Sequence, residues 1–207
     1  MDEPFGDVLR FAVLGPVRAW RFDEELDLGS PQQRMVLAVL LLRRGRIVAV
    51  DELVDAVWGD RSPAAAVSVL RTYVSRLRKV LEPERKAGAA ARILVSAGSG
   101  YMVQIPDDAV DLGLFGQRVA QARALQAEGD TAAASELLHA ALDSWGGTPL
   151  AGFSGLFAEQ ERFRLSEQRL SALEACIEID VQLGQHGEVI GDLTRLTQPG
   201  STGLIPE

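Results

Sequence analysis

A group of polar side chains between residues 63 and 81 has the residue types and spacing for contacts with a nucleic acid. At about 100° per residue, the members of this group share one side of a helix. The group consists of Ser68, Thr72, Ser75, Arg76 and Lys79. Small hydroxyls allow close approach to a groove of DNA, and Arg or Lys can reach the acceptors of guanine or the phosphates. The pattern predicts hydrogen bonding to DNA.

The opposite side of the same helix is apolar, and two flanks separate the two sides. The apolar stripe, expected to face a core, consists of Val67, Leu70, Val74, Leu77 and Leu81. On one flank, Arg71 and Arg78 are expected to bind phosphates or to cover apolar surface with their stems. On the other flank, Tyr73 could stack, donate its hydroxyl or pack. Many surface helices have this two-sided pattern, so its context decides the interpretation.

The charge of the whole chain argues against a nucleic-acid partner, but its distribution does not. The net charge is −8 and the pI is near 4.9. Residues 1–105 carry 15 basic and 13 acidic residues, whereas 106–207 carry 6 and 16. Residues 62–92 contain seven basic residues and only two acidic ones, Glu82 and Glu84. The acidic half is therefore expected to face away from a DNA duplex, towards protein partners.

Local signals predict strands and three helices in residues 1–105. Ser30-Pro31 and Ser62-Pro63 each combine a Ser N-cap with Pro at the first helical position. Asp51 is predicted to cap the helix between them, and Gly59 to end that helix. The predicted elements are a strand pair or a bent strand over 10–21, broken at Gly15-Pro16, a strand over 25–28, a helix over 31–42, a strand over 47–50, a helix over 52–58, a helix from 63 to about 81, and strands over 92–96 and 101–105.

The last two strands are joined by glycines, and the order of elements favours a particular fold. Three short helices followed by a hairpin are typical of a winged helix-turn-helix, whose third helix enters the major groove. The hairpin, or wing, then meets the adjacent backbone or the minor groove. Its predicted contacts are the hydroxyls and backbone N–H groups of Ser96, Gly98, Ser99 and Gly100. An ordinary hairpin turn remains an alternative for this segment.

The second half of the chain is predicted to be helical. Pro106-Asp107-Asp108 marks a boundary between a domain at 1–105 and one at 110–198, with a tail at 199–207. Predicted helices cover 112–128, 131–145 with Asp130 as its cap, 157–183 as one helix or two, and 188–196. A weak similarity at an offset of 55 residues aligns Ala134 with Val189 and Leu138 with Leu193. Paired antiparallel helices of this kind are similar to tetratricopeptide hairpins, whose period is about 34 residues.

The sequence gives little support to an enzyme. His139 and His186 have no Cys or carboxylate at ligand spacing, and Cys176, the only cysteine, is predicted to be a buried structural thiol. No glycine-rich phosphate loop follows a strand. We therefore predict no catalytic residue, cofactor or metal. Neither a signal peptide nor an apolar run long enough to span a membrane is evident, and a cytoplasmic location is expected.

Several motifs together resemble one family of regulators. In the first half they are FAVLGP at Phe11–Pro16, GSPQQR at Gly29–Arg34, VDELVDAVWG at Val50–Gly59, LRTYVSRLRKVL at Leu70–Leu81 and GSGY at Gly98–Tyr101. In the second half they are LDSW at Leu142–Trp145, AE at Ala158-Glu159 and EQRL at Glu167–Leu170. The chain resembles the Streptomyces antibiotic regulatory proteins. This implies an α+β, OmpR-like winged helix followed by an all-α, tetratricopeptide-like bacterial transcriptional activation domain.

The resemblance implies a transcriptional activator that binds direct repeats at promoters of biosynthetic genes. It would bind double-stranded DNA as a side-by-side dimer and recruit RNA polymerase through the sigma subunit. The loop that faces polymerase would consist of Gly59, Asp60, Arg61, Ser62 and Pro63. The activation domain of the family normally continues further, so a short or truncated form is expected here, with Val189, Leu193 and Leu196 exposed. The ATPase module of larger members has no counterpart in the sequence.

A protein-binding adaptor, or a regulatory fragment that does not activate promoters, is the alternative. Such a protein could use a winged helix and helical repeats only to bind other proteins. The discriminating feature is the cationic side of the third helix, which an adaptor does not need.

Overall fold

A computed structural model describes residues 9–86 and 88–184 of the chain. The chain divides into two compact units. The first unit comprises Met1–Gln117 and Ser144–Ser166, and the second comprises Arg118–Asp143 and Glu167–Glu207. Each unit is described by itself.

The first unit begins with an antiparallel three-stranded sheet. Its strands are β1 (Leu9–Ala12), β2 (Arg18–Arg21) and β3 (Glu24–Glu25), in the order β1-β2-β3. Of the two alternatives predicted for 10–21, a strand pair or a bent strand, the structure has the strand pair, interrupted at Gly15-Pro16. The strand predicted at 25–28 is shorter and lies earlier in the chain. The side chain of Asp27 accepts a hydrogen bond from Gly29 N at 2.8 Å, a local turn that ends the extended backbone.

Three helices follow, and the cap signal is correct for one of them. Helix α1 (Pro31–Leu42) begins where predicted, with Ser30 Oγ accepting from Gln33 N at 3.2 Å. Helix α2 (Val50–Trp58) begins one residue before Asp51, which is therefore not its cap. The Asp51 carboxylate instead accepts from Glu52 N at 3.0 Å. Helix α2 ends before Gly59, which has φ 53°, as predicted.

Helix α3 (Ala66–Leu81) begins three residues later than the Ser62-Pro63 signal predicts. Ala66 N donates to Pro63 O at 2.9 Å, which closes a turn, and the first helical bond runs from Val69 N to Ala65 O. Ala65 is the N-cap and has no side-chain cap bond. The predicted cap at Ser62 is therefore wrong, because the chain forms this turn before the helix begins.

The hairpin is built as a second antiparallel sheet. Its strands are β4 (Val48–Ala49), β5 (Leu94–Ala97) and β6 (Gly100–Val103), in the order β4-β6-β5. Ala97 pairs with Gly100, so the turn consists of Gly98 and Ser99. The core between the helices and this sheet contains fully buried leucines: Leu37, Leu40, Leu41, Leu53, Leu70, Leu77 and Leu94. These side chains fix the position of α3 beside the wing.

The first unit includes residues beyond the winged helix. Helix α4 (Asp111–Glu128) begins in it, and Asp111 accepts hydrogen bonds from Val13 N at 2.9 Å and Leu14 N at 2.9 Å. Helix α6 (Leu156–Gln182) also begins in it, where Glu161 pairs with Arg43 at 2.8 Å. The compact units thus differ from the predicted domains at 1–105 and 110–198, because α4 and α6 each contribute to both units.

The second unit is helical. Helix α5 (Thr131–Leu142) follows Asp130, whose side chain accepts from Ala133 N at 3.1 Å, as predicted. It ends three residues before the predicted end at 145. The predicted helix at 157–183 is one helix, α6. The core of the unit consists of Ala122, Ala134, Leu138, Cys176 and Ile179.

Several predictions fall outside the described residues. They concern His186, the helix at 188–196 with Val189, Leu193 and Leu196, and the tail at 199–207. Within the described ranges, none of the helices has the length and apolar character that crossing a bilayer requires.

Candidate nucleic-acid interface

Helix α3 is anchored through one apolar stripe. Leu70, Val74, Leu77 and Leu81 are buried, as predicted. Val67, predicted to complete the stripe, is 41% exposed, and Ala66 is buried in its place. Ala66 and Leu70 are separated by four residues, a spacing that places both on the same side of a helix. This anchoring turns the other side of α3 outward.

The outward side of α3 carries hydroxyls and cations. All six of its polar residues are exposed: Ser68, Arg71, Thr72, Ser75, Arg76 and Lys79. Thr72 Oγ1 donates to Ser68 O at 3.1 Å, so its hydroxyl hydrogen is used within the helix, while its oxygen can still accept. The helix contains no acidic residue. The structure thus brings together the residues that the sequence predicted for DNA contacts on this side.

Arg78 lies on the flank and connects α3 to the wing. Its Nε donates to Leu94 O at 2.8 Å, and its Nη2 donates to Ser96 Oγ at 2.9 Å. Its guanidinium also lies 5.7 Å from the centre of the Tyr101 ring. Burial lowers the pKa of Arg78, and Tyr101 opposes that shift, but a guanidinium stays charged at neutral pH. We assign Arg78 a positioning role.

Replacing Arg78 with lysine should loosen the wing while keeping the charge. Lysine cannot form the planar fork that reaches Leu94 O and Ser96 Oγ together. We expect a loss of about 1–2 kcal/mol in the free energy of unfolding and faster hydrogen exchange in β5. Exchange rates measured by mass spectrometry check this. Lys79→Arg, at an exposed neighbour, is the control; equal exchange in both variants would contradict the positioning role.

Tyr73 makes a ring contact within the protein. Its ring stacks on that of Trp58, with centroids 6.2 Å apart and planes 16° apart. Of the three roles predicted for Tyr73, stacking is therefore observed, with a ring of the protein itself. The contact joins the end of α2 to the middle of α3 and helps to fix the angle between them.

The wing presents its turn to solvent and buries its base. Gly98 and Ser99 are exposed at the turn, and Ser96 is exposed beside Arg78. Gly100 is buried, and a Cβ atom there would lie 2.0 Å from Val48 O. Gly100 is therefore needed for the pairing of β6 with β4, which is a structural role.

The loop between α2 and α3 is also open to solvent. Gly59, Asp60 and Arg61 form a single 3-10 turn, Ser62 follows in extended backbone, and Pro63 comes next. All five residues are exposed. Their assignment as the loop that faces polymerase remains a prediction.

Sequence reasoning missed the residues that support this interface: Trp58 as the partner of Tyr73, and Leu94 O and Tyr101 as partners of Arg78. Each contact joins residues 15 to 23 positions apart in sequence. The residue patterns of α2 and β6 predicted a helix and a strand, but not the residues that these elements contact. The glycine-rich turn indicated only that β5 and β6 form a hairpin.

Comparisons with known proteins agree with this geometry. The family model described as "Transcriptional regulatory protein, C terminal" matches residues 23–103, and that described as "Bacterial transcriptional activator domain" matches 110–199. Regulatory protein DnrI of Streptomyces peucetius is 30% identical over 91% of this chain and 71% of its own length. Regulatory protein AfsR of Streptomyces coelicolor is 45% identical over 95% of this chain and 19% of its own length.

A solved structure is also similar. Mycobacterium tuberculosis EmbR, in complex with a low-affinity phosphopeptide, superposes with a TM-score of 0.84 at 36% identity. The match covers 91% of this chain and 50% of that one. The chain thus spans about a fifth of the length of AfsR and half of the EmbR structure.

An OmpR-like winged helix followed by an activator domain defines a class of bacterial transcriptional regulators. The matches to DnrI and AfsR place the chain within that class. The chain belongs to the Streptomyces antibiotic regulatory protein family. The resemblance and the fold class predicted from the sequence are confirmed.

Proposed function

We propose that this regulator binds double-stranded DNA sequence-specifically, with α3 in the major groove and the wing at the adjacent backbone or minor groove. The observation that carries the proposal is the exposed side of α3, where Arg71, Arg76 and Lys79 occur without any acidic residue in the helix. The Arg78 bridge supports it by fixing the wing next to this side.

The length and position of each cationic side chain of α3 decide whether we assign it to a base or to a phosphate. Arg76 lies among the small hydroxyls of Ser68, Thr72 and Ser75, which leave room for a groove edge, so we assign it a guanine contact through its two-pronged guanidinium. Arg71 lies closer to a flank, and Lys79 lies in the last turn of α3. Both are assigned to phosphates, as are the N–H groups and the hydroxyl at the wing turn.

Replacing Arg76 with alanine should weaken specific binding by about 1–3 kcal/mol, because a bidentate contact to guanine is lost. The measurement is fluorescence anisotropy with an operator duplex and a random duplex at several salt concentrations. Loss on the operator alone is expected. Equal loss on both duplexes would assign Arg76 to a phosphate.

The salt dependence of the same titration separates this proposal from a protein-binding adaptor. A protein that neutralises Z phosphates shows a slope of about −0.9Z in log K against log[salt]. For Arg71→Ala and Lys79→Ala we expect slopes that are each shallower by about one, and for Glu84→Gln, outside α3, no shallower slope. A flat line for the unchanged protein would favour the adaptor.

We further propose that two copies bind direct repeats at promoters of biosynthetic genes and activate transcription. The exposed loop Gly59–Pro63 would face RNA polymerase, with the sigma subunit as the partner. The acidic charge of 106–207, net −10, supports an orientation away from the duplex. This function places the protein in the bacterial cytoplasm.

A further inference from the structure

Three potential metal ligands meet between two helices of the second unit. They are His139 of α5 and Cys176 and Asp180 of α6, and their ligand atoms all lie within 4.8 Å of one another. His139 Nε2 is 3.0 Å from Asp180 Oδ2, and Cys176 Sγ is 3.7 Å from the same oxygen. An imidazole, a thiol and a carboxylate thus converge on one point within the second unit.

We propose that these three residues form a binding site for Zn²⁺. Zinc takes tetrahedral sites of nitrogen, sulfur and carboxylate ligands at about 2.0–2.3 Å, which places the ligand atoms roughly 3.3–3.8 Å apart. The distances of 3.0 Å and 3.7 Å are within a few tenths of an ångström of this spacing. The third pair, His139 Nε2 and Cys176 Sγ, lies within 4.8 Å, so binding requires these two side chains to approach each other by at most about 1 Å. A thiolate and an imidazole favour zinc over magnesium or calcium, which prefer oxygen ligands.

The geometry of the helices supports such a site. Cys176 and Asp180 are four residues apart and so lie on one side of α6, as Ser135 and His139 do on α5. Ser135 Oγ donates to Asp180 Oδ1 at 2.6 Å. That bond holds the carboxylate and directs its other oxygen, Oδ2, towards His139 and Cys176. Hydrogen bonds of this kind to a ligating carboxylate are typical of metal sites.

The burial and the charge of the three residues are also compatible with a bound zinc ion. Asp180 and Cys176 are fully buried, and the side chain of His139 is 30% exposed, which provides an entry path for an ion. On binding, the Cys176 thiol releases its proton to the solvent, and the thiolate and the Asp180 carboxylate neutralise the two charges of the ion. A water molecule completes the tetrahedron. The result is a neutral cluster in a place where an isolated charge would be costly.

Cobalt(II) tests this site directly, since Cys176 is the only cysteine in the sequence. A thiolate-to-cobalt charge-transfer band in the near ultraviolet can therefore arise only from Cys176. We expect Co²⁺ titrated into the reduced full chain to give this band at a 1:1 ratio, and Zn²⁺ to abolish it by displacement. We also expect Zn²⁺ to raise the melting temperature of the protein.

Matched variants locate the ion. We expect Cys176→Ser to lose the band, and His139→Gln and Asp180→Asn to lower the affinity for Co²⁺ by more than tenfold. Ser135→Ala, which removes only the bond to Oδ1, should lower it by about 10–100-fold. Glu136→Gln and Glu178→Gln, at exposed positions of the same helices, are controls and should change nothing. Circular dichroism of each variant confirms that it is folded.

Two results would overturn the proposal. One is the absence of a charge-transfer band in the unchanged, folded and reduced protein at a large excess of Co²⁺. The other is a band whose affinity is the same in folded His139→Gln and Asp180→Asn as in the unchanged protein. Either result would leave the cluster as a hydrogen-bonded contact between α5 and α6. Neither would affect the DNA-binding proposal, which the anisotropy titration tests.

Discussion

Replacing Asp111 with alanine should destabilise the first unit by roughly 3 kcal/mol, because it leaves buried backbone N–H groups without their acceptor. The carboxylate accepts from Val13 N at 2.9 and 3.0 Å, Leu14 N at 2.9 Å and Leu112 N at 2.7 Å. Val13 and Leu14 are completely buried. Urea denaturation, followed by the fluorescence of the tryptophans, measures the loss.

Asparagine at the same position refines this prediction. Its single amide oxygen can replace only part of the carboxylate, so we expect a smaller loss than for alanine. Burial raises the pKa of the Asp111 carboxyl, and the N–H groups of Leu14 and Val13 oppose the rise. Asp108→Asn, at an exposed carboxyl three residues earlier, is the control and should stay within about 0.5 kcal/mol. A similar stability of Asp111→Ala and Asp108→Asn would contradict the role of Asp111.

Replacing Gly100 with alanine should separate the wing from β4 and cost about 3 kcal/mol. The new Cβ would lie 2.0 Å from Val48 O and 3.0 Å from Ala49 Cα, both backbone atoms of the paired strand. The strands must move apart, because no side-chain rotation relieves contacts between backbone atoms. We expect faster hydrogen exchange at Val48–Ala49 and Gly100–Val103, and weaker DNA binding, since the turn loses its support.

Gly116→Ala is the control for this variant. Gly116 is exposed within α4, and a Cβ there meets no atom within 4 Å. Alanine should therefore stabilise that helix by about 0.5–1 kcal/mol, because it has a higher helix propensity than glycine. If both substitutions had the same effect, the close approach of β4 and β6 would not be what requires glycine at position 100.

The sequence predicted the elements that are encoded locally. Ser30-Pro31 marked the start of α1, Asp130 capped α5, and the glycines at 98 and 100 marked the hairpin. The apolar spacing of α3 correctly separated its buried side from its exposed side, except at Val67. These features depend on residues within one or two turns of each other, where capping and periodicity act directly.

The sequence could not predict contacts between distant segments. Ser62-Pro63 has the pattern of a helix start, yet the tertiary arrangement places a turn there and delays α3 to Ala66. Arg78 was expected to bind a phosphate or to cover apolar surface. Its bond to Leu94 O could not be predicted, because that partner is a backbone atom with no signature in the side-chain sequence. The cluster of His139, Cys176 and Asp180 has no recognisable ligand spacing, because it forms only when α5 and α6 pack together.

The composition of the first unit determines how parts of related regulators can be exchanged. Residues 111–115 and 144–166 belong to the same unit as the winged helix and contact it through the Asp111 bonds and the Arg43–Glu161 ion pair. The Phe115–Trp145 ring contact joins these two segments to each other. A chimera joined at the linker near residue 106 would take these partners from a different parent. Compatible chimeras should therefore take both segments from the parent that supplies α3. Segments that pack together must be exchanged together, even where they are far apart in the sequence.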